Sequence, residues 1–173
     1  MIFVRLVAAL AVAVGLHAAG AWLWPWFPVI VDLFLLLAVY FSLGRSPASS
    51  ALGGTLAGLA YDAISGGFYG LHGFANTLVA WAAASVQHRI LIHQPIQIFT
   101  LFALASGVQL LTLACLHILL LPQRGLPGPD VMVGRMLVAG ALGTVLFLAH
   151  RRLGVAEQAW REKRGRRLRI DTR

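Results

Sequence analysis

The stretch GLAYDAISGGFYGLHGF, residues 58–74, places five glycines and a single carboxylate, Asp62, in one of the most apolar regions of the chain. Charged residues make up 12% of the 173 residues, against about a quarter in a typical soluble domain. Apolar residues make up 59%, and the mean hydropathy is +0.80. This composition predicts an integral membrane protein, with this stretch in or beside its membrane-spanning helices.

Long apolar runs, separated by proline, glycine and charged residues, predict an all-α polytopic membrane helix bundle with six transmembrane helices. The first run has the length and the small-residue end of a signal peptide, but it continues into WLWPWFP, residues 22–28. We therefore expect it to be retained as a span. The six spans are expected at about residues 4–24, 29–43, 48–65, 70–87, 96–121 and 131–149, within a transmembrane domain of residues 1–150.

The distribution of Lys and Arg predicts the orientation of these spans. The basic residues expected on one side are Arg5, Arg45, Arg89 and the nine of segment 151–173. Arg124 is alone in the connections on the other side. Because cytoplasmic connections carry the excess of basic residues, both termini are expected to be cytoplasmic. The tryptophan-rich segment 22–27 would then mark the outer interface.

The C-terminal segment 151–173 is predicted to be a basic cytoplasmic tail. It has nine Lys or Arg and three acidic residues, a net charge of +6. It can form a short helix that contacts anionic lipids or a protein at the cytoplasmic surface. A solvated anchor explains the same residues. Nucleic-acid binding is not expected, because the tail lacks interleaved aromatic residues and a folded module.

Ionisable residues within spans are costly in lipid and usually face a bundle interior or a partner. Counting along the predicted spans places Asp32, Asp62 and Arg135 within one or two helical turns of the outer surface, with His72 and His117 at a similar depth. This spacing predicts an outer polar layer in which Arg135 neutralises Asp62 or Asp32. Alternatively these side chains extend to the nearby interface, which suits the two histidines better than the short carboxylates.

No residue pattern typical of catalysis or metal binding accompanies these polar residues. The sequence has no HExxH, no histidine pair four residues apart and no GxSxG, the arrangements expected of zinc sites and of serine hydrolases. The single cysteine, Cys115, cannot form an internal disulfide. We therefore predict no catalytic residue, no metal site, no cofactor and no enzymatic activity.

The glycines predict close helix packing. Gly54, Gly58 and Asp62 recur every four residues, so a helix places them on one face. Small residues at this spacing allow a second helix to approach closely. That helix could belong to this chain or to another protein. In the turn that follows, residues 65–70, glycine gives access to positive φ angles.

Residues 58–74 resemble the signature of the MreD family, the small polytopic subunit of the bacterial rod-shape (cell elongation) complex. In that family a helix ending in Gly-Leu-x-x-Asp runs into a glycine-containing turn and the next helix. PVIVDLFLLLAVYFSL, residues 28–43, is similar to the family's second span. Gly73 departs from the larger apolar residue usual at its position. The residues that the resemblance identifies are Gly58, Asp62, Gly66, Gly67, Gly70, Leu71 and His72, together with Asp32.

The resemblance implies a non-enzymatic scaffold in the bacterial cytoplasmic (inner) membrane. Such a scaffold binds the single-pass protein MreC and joins the elongation machinery, which includes the MreB filament, the RodA glycan polymerase and a class B penicillin-binding transpeptidase. The machinery organises peptidoglycan synthesis and cell shape.

The resemblance also implies a fold similar to the S components of energy-coupling-factor vitamin transporters, with six helices around a central cleft. A solute-binding S-type subunit is therefore the alternative function, because a shared fold does not define function. A vitamin pocket needs converging polar groups and aromatic rings. The candidates, Asn76, Gln109, Trp81 and Tyr61, have no sequence spacing that brings them together.

Overall fold

The computed structural model of this chain describes residues 2–87, 94–120 and 128–170, with side chains at residues 4, 6–87, 94–120 and 128–152. Throughout these ranges the regular secondary structure is α-helical, which confirms the all-α membrane helix bundle. The helices are α1 (Ile2–Leu23), α2 (Phe27–Ile30), α3 (Leu33–Ser42), α4 (Pro47–Ser65), α5 (Leu71–Gln87), α6 (Pro95–Leu120) and α7 (Pro129–Ile170).

Among the described residues, three helices are long and apolar enough to cross a membrane by length and composition. They provide the segments Leu6–Leu23, Pro95–Leu120 and Pro129–Arg152. α3 has only 10 residues. The six crossings, their orientation and the division at residue 150 therefore stay predictions. Of the basic residues that predict the orientation, Arg89 and Arg124 lie outside the described residues, as do the side chains of Arg5 and of the tail beyond residue 152.

The predicted second span, residues 29–43, is interrupted in the structure. α2 ends at Ile30, Val31 and Asp32 are extended, and α3 begins at Leu33. Asp32 caps α3, because its Oδ1 accepts a hydrogen bond from the Leu35 amide at 2.9 Å. The carboxylate thus lies at a helix N-terminus, where the peptide dipoles stabilise negative charge.

The short helix α3 lies at the centre of the bundle. It contacts α1, α4, α5, α6 and α7. Its residues Phe34, Leu35 and Val39 are fully buried, and the last two pack in one apolar core with Phe102 and Ile98 of α6. Because a helix buried on all sides must be apolar on all sides, the continuous apolar run of this segment reflects its central position.

The tail helix is continuous with the last predicted span. α7 runs for 42 residues from Pro129 to Ile170, a length of about 63 Å at the α-helical rise. The segment that the sequence predicts as a separate short helix is therefore the C-terminal part of one long helix.

Candidate functional site

Asp62 joins the end of α4 to the start of α5. It is 1% exposed, and its Oδ2 accepts hydrogen bonds from the amides of Gly70 at 2.9 Å and Gly73 at 3.1 Å. Its Oδ1 accepts from the His72 amide at 3.3 Å. The first amides of a helix have no partner within that helix. Gly70 precedes α5 and has no side chain that could accept hydrogen bonds from these amides. The carboxylate of Asp62, from α4, accepts them instead and so caps α5.

His72 completes this group, which we call the turn anchor (Asp62, Gly70, His72 and Gly73). Its Nδ1 lies 2.8 Å from Asp62 Oδ1, and its ring lies beside that of Tyr61, with centroids 4.2 Å apart. The expectation that His72 extends to the interface is therefore wrong, because its side chain turns to Asp62. His117 instead approaches the Leu113 carbonyl of its own helix at 2.9 Å.

The glycine stripe of α4 packs against α5 of the same chain. A Cβ at Gly58 would lie 2.6 Å from the Gly73 Cα, and a Cβ at Gly54 would lie 2.8 Å from the Ala80 Cβ. Neither distance is compatible with an ordinary contact between carbon atoms. The sequence left open whether the helix that packs on this stripe belongs to this chain or to another protein. In the structure it is α5 of this chain.

The turn between α4 and α5 uses its glycines in two ways. Gly66 and Gly70 have φ angles of +64° and +97°, which only glycine adopts without strain. Gly67 is not at positive φ, and an added Cβ there would make only an ordinary contact. Leu71 then begins α5 and packs with Ala75 and Leu113. The backbone therefore requires glycine at two of the three predicted turn positions.

Arg135 pairs with Asp32. The Asp32 Oδ2 accepts hydrogen bonds from Arg135 Nη2 at 2.9 Å and from Gln109 Nε2 at 2.7 Å. The sequence predicted that Arg135 neutralises Asp62 or Asp32, and in the structure its partner is Asp32. Since Asp62 is satisfied by amides and His72, the predicted polar layer consists of two separate groups. Their common depth in the membrane stays a prediction.

Gln109 connects this ion pair to α5. Its Nε2 also donates to Asn76 Oδ1 at 2.9 Å. Four helices therefore meet at a central polar cluster, which we define as Asp32, Asn76, Gln109 and Arg135. Within the described part of the chain, four buried polar atoms around it lack a hydrogen-bond partner. They are Asn76 Nδ2, Gln109 Oε1, Arg135 Nε and the nearby Ser106 Oγ.

The four residues considered for a vitamin pocket do not line one common site. Asn76 and Gln109 converge, contrary to what their spacing suggested. Trp81 is half exposed on α5. Tyr61 lies instead beside His17 of α1, with ring centroids 5.4 Å apart. The sequence analysis did not identify His17, because a single histidine in an apolar helix has no second residue at a recognisable spacing. In the structure its side chain is buried, with 7% of its surface exposed.

These contacts define a class of protein. The two buried carboxylates are occupied by helix amides and by side chains of neighbouring helices, and across the described residues no group of three or more His, Cys, Asp or Glu could hold a metal ion. The chain is thus an all-α membrane protein whose buried polar residues join helices.

A comparison with family models identifies the family. The model of the rod shape-determining protein MreD matches residues 1–126, and the chain belongs to the MreD family. This is a shape-determining family and not a known enzyme family. The match includes the turn anchor and most of the central polar cluster, but it ends before Arg135. Comparisons with curated proteins and with solved structures gave no match.

Proposed function

We propose that this protein is a non-enzymatic, multi-pass scaffold of the cell-elongation machinery in the bacterial inner membrane. The observation that carries the proposal is the family match over residues 1–126, because membership of the MreD family implies a role in rod shape determination. In this role the protein binds MreC and so connects to MreB, RodA and a class B penicillin-binding transpeptidase, which together build peptidoglycan.

The packing of α4 limits where MreC can bind. The glycine stripe is covered by α5, so a partner helix has no access to it without opening the α4–α5 hairpin. We therefore place the MreC contact on the outer faces of the bundle. An arrangement in which buried polar groups hold the helices is suited to a scaffold, since it keeps those outer faces in a constant relative position.

The test is affinity purification of the detergent-solubilised protein from its native membrane, followed by mass spectrometry. We expect MreC in stoichiometric amount. A photo-crosslinking residue at the exposed positions Leu52, Trp81 and Leu104, on α4, α5 and α6, then maps the face, because only positions in contact with MreC give an adduct. Absence of MreC from a folded, normally expressed preparation would contradict the proposal.

A second candidate function is the solute-binding S-type subunit. The observation in its favour is the set of four unpaired polar atoms at the central polar cluster, since converging polar groups characterise small-molecule sites. The same purification distinguishes the two candidates. A retained vitamin together with an ATPase-linked partner would favour this function over the scaffold.

A further inference from the structure

A cavity of about 360 Å³ lies between α1 and α4. Its volume is at the lower end of the range of about 300–1,000 Å³ that is typical of small-molecule sites. Val14, Ala18, Ala21, Pro28 and Ile64 contribute apolar surface. The cavity is separate from the central polar cluster, since their lining residues do not overlap.

Three polar side chains also line the cavity, namely His17, Tyr61 and Ser65. His17 is held by edge-on contacts with the rings of Phe34 and Tyr61, at centroid distances of 5.6 and 5.4 Å. Its buried Nδ1 has no hydrogen-bond partner among the described residues. An imidazole and a phenol can each donate a hydrogen bond, whereas the Ser65 hydroxyl already donates to the Asp62 carbonyl at 3.4 Å.

The charge of the cavity limits the ligand. Among the residues that the structure describes, none of the lining side chains is a Lys, Arg, Asp or Glu. A phosphate or carboxylate group would therefore lack a counter-charge here, which is unfavourable away from water. A neutral acceptor, such as a carbonyl oxygen between apolar chains, matches both the donors and the apolar wall.

The opening of the cavity faces the surroundings of the bundle. Ala18, Ser65 and Ile64 are exposed at its edge, with Ile64 41% exposed. Trp22, five residues beyond His17 on α1, is 86% exposed. Aromatic residues of this kind lie at headgroup level, and five residues correspond to about 7.5 Å along a helix. With Trp22 at the predicted outer interface, the cavity lies just below the headgroups, where the glycerol esters of lipids lie.

We propose that the cavity between α1 and α4 binds the glycerol-ester region of a bilayer phospholipid. An ester carbonyl accepts a hydrogen bond from His17 or Tyr61, while an acyl chain lies along Val14 and Ile64. The phosphate stays outside, at the level of Trp22. A side chain of a partner protein is the competing occupant.

The first test uses the full-length protein in nanodiscs that contain a phosphatidylglycerol with a diazirine near the ester end of one acyl chain. After photolysis, we expect labelled peptides from α1 and α4 around the cavity. Ala18→Phe fills the opening and should abolish this labelling. Ala63→Phe is the matched control, because Ala63 is exposed on α4 outside the cavity. Labelling that is equal in all three proteins would overturn the proposal.

The second test addresses the ester carbonyl directly. Diacyl phosphatidylglycerol should displace the probe at a concentration about fivefold lower than its dialkyl ether analogue, which corresponds to one net hydrogen bond. His17→Phe retains the ring and should reduce the difference between the lipids. Equal competition by ester and ether lipids in the wild-type protein would contradict the assignment.

A partner side chain in the cavity would give a different result. In native membranes, a photo-crosslinking residue at Ala21, which lines the cavity on α1, would then give a protein adduct and no lipid adduct, and this result would overturn the lipid assignment. The nanodisc experiments contain no MreC, so their failure leaves the proposed scaffold function unaffected, and loss of MreC capture leaves the lipid site unaffected.

Discussion

At the scale of single residues, Asp32 and Asp62 are stabilised in an apolar environment in the same way. Asp32 lies at the start of α3, and the carboxylate of Asp62, a residue near the end of α4, lies at the start of α5. Each accepts hydrogen bonds from backbone amides that have no helical partner. An amide–carboxylate bond is stronger than a neutral hydrogen bond. These residues are therefore positioned by helix ends, and each then binds a cationic or polar side chain.

Replacing Asp62 by Asn should destabilise the protein. The single amide oxygen of Asn cannot accept all the bonds that Asp62 accepts, and its NH₂ group would face the amides of α5. We expect a loss of about 1–3 kcal/mol, the usual cost of a buried unsatisfied group, measured by thermal unfolding in detergent. Asp130→Asn, at an exposed position, is the control. Equal stability of the two variants would exclude this role for Asp62.

The Asp32–Arg135 pair should show strong coupling in a double-mutant cycle. Arg135→Met leaves a buried carboxylate without its cation, which typically costs about 3–5 kcal/mol. Asp32→Asn removes the charge that needs Arg135. The double variant should therefore be clearly more stable than the sum of the single effects predicts, as measured by denaturation in mixed micelles. Additive effects would mean that the ion pair does not form.

At the scale of secondary-structure elements, the helices of the α4–α5 hairpin are packed with their backbones in contact. Gly54 and Gly58 allow the two helices to approach until backbone atoms meet, and positive φ at Gly66 and Gly70 reverses the chain. In lipid, close packing of this kind replaces the hydrophobic effect as the force between helices. The glycines and Asp62 therefore act together.

Alanine substitutions of the glycines of α4 should distinguish the effect of helix packing on stability from the effect of helix propensity. Alanine is favoured over glycine in a helix by about 1 kcal/mol, so Gly53→Ala, where nothing lies within 4 Å of the new Cβ, should be neutral or stabilising. Gly54→Ala and Gly58→Ala should destabilise, since each Cβ meets the α5 backbone. Thermal unfolding of the three variants measures the effect. Stabilisation by Gly58→Ala would show that α5 does not cover the stripe.

At the scale of the whole molecule, the central polar cluster connects elements that are far apart in sequence. Asp32 precedes α3, and Asn76, Gln109 and Arg135 come from α5, α6 and α7. Arg135 lies beyond the segment matched by the MreD family model. The hydrogen bonds among these four residues favour this arrangement of the helices, because separating the helices would leave the Asp32 carboxylate buried without Arg135 and Gln109.

Gln109→Met should lower the stability of all the helices that the central polar cluster connects. Methionine has a similar shape but cannot donate to Asp32 and Asn76, so both lose a buried partner. We expect a loss of about 2 kcal/mol, with faster hydrogen exchange in α3, α5 and α7 as well as in α6. Thr112→Val, one turn along α6, removes only a bond to its own helix and is the control. Faster exchange confined to α6 would contradict a connecting role.

Some of this site could be predicted from the sequence, and the reasons are local. The spacing of Gly54, Gly58 and Asp62 follows helical periodicity, and the turn and its anchor lie within a dozen residues. In contrast, Asp32 and Arg135 are 103 residues apart, and Asp32 and Gln109 are 77 apart. No periodicity relates such residues. His17 also gave no signal, since its surroundings come from three different helices.

The sequence by itself determined that this is an all-α membrane protein of the MreD family with a glycine-rich hairpin at α4 and α5. Composition, helical periodicity and a local motif are sufficient for these properties. Only the tertiary structure decided that α5 covers the glycine stripe, that Arg135 pairs with Asp32 and that a break after Ile30 makes Asp32 a helix cap. The physical reason is that these contacts depend on the rotation and neighbours of each helix, which apolar content does not specify.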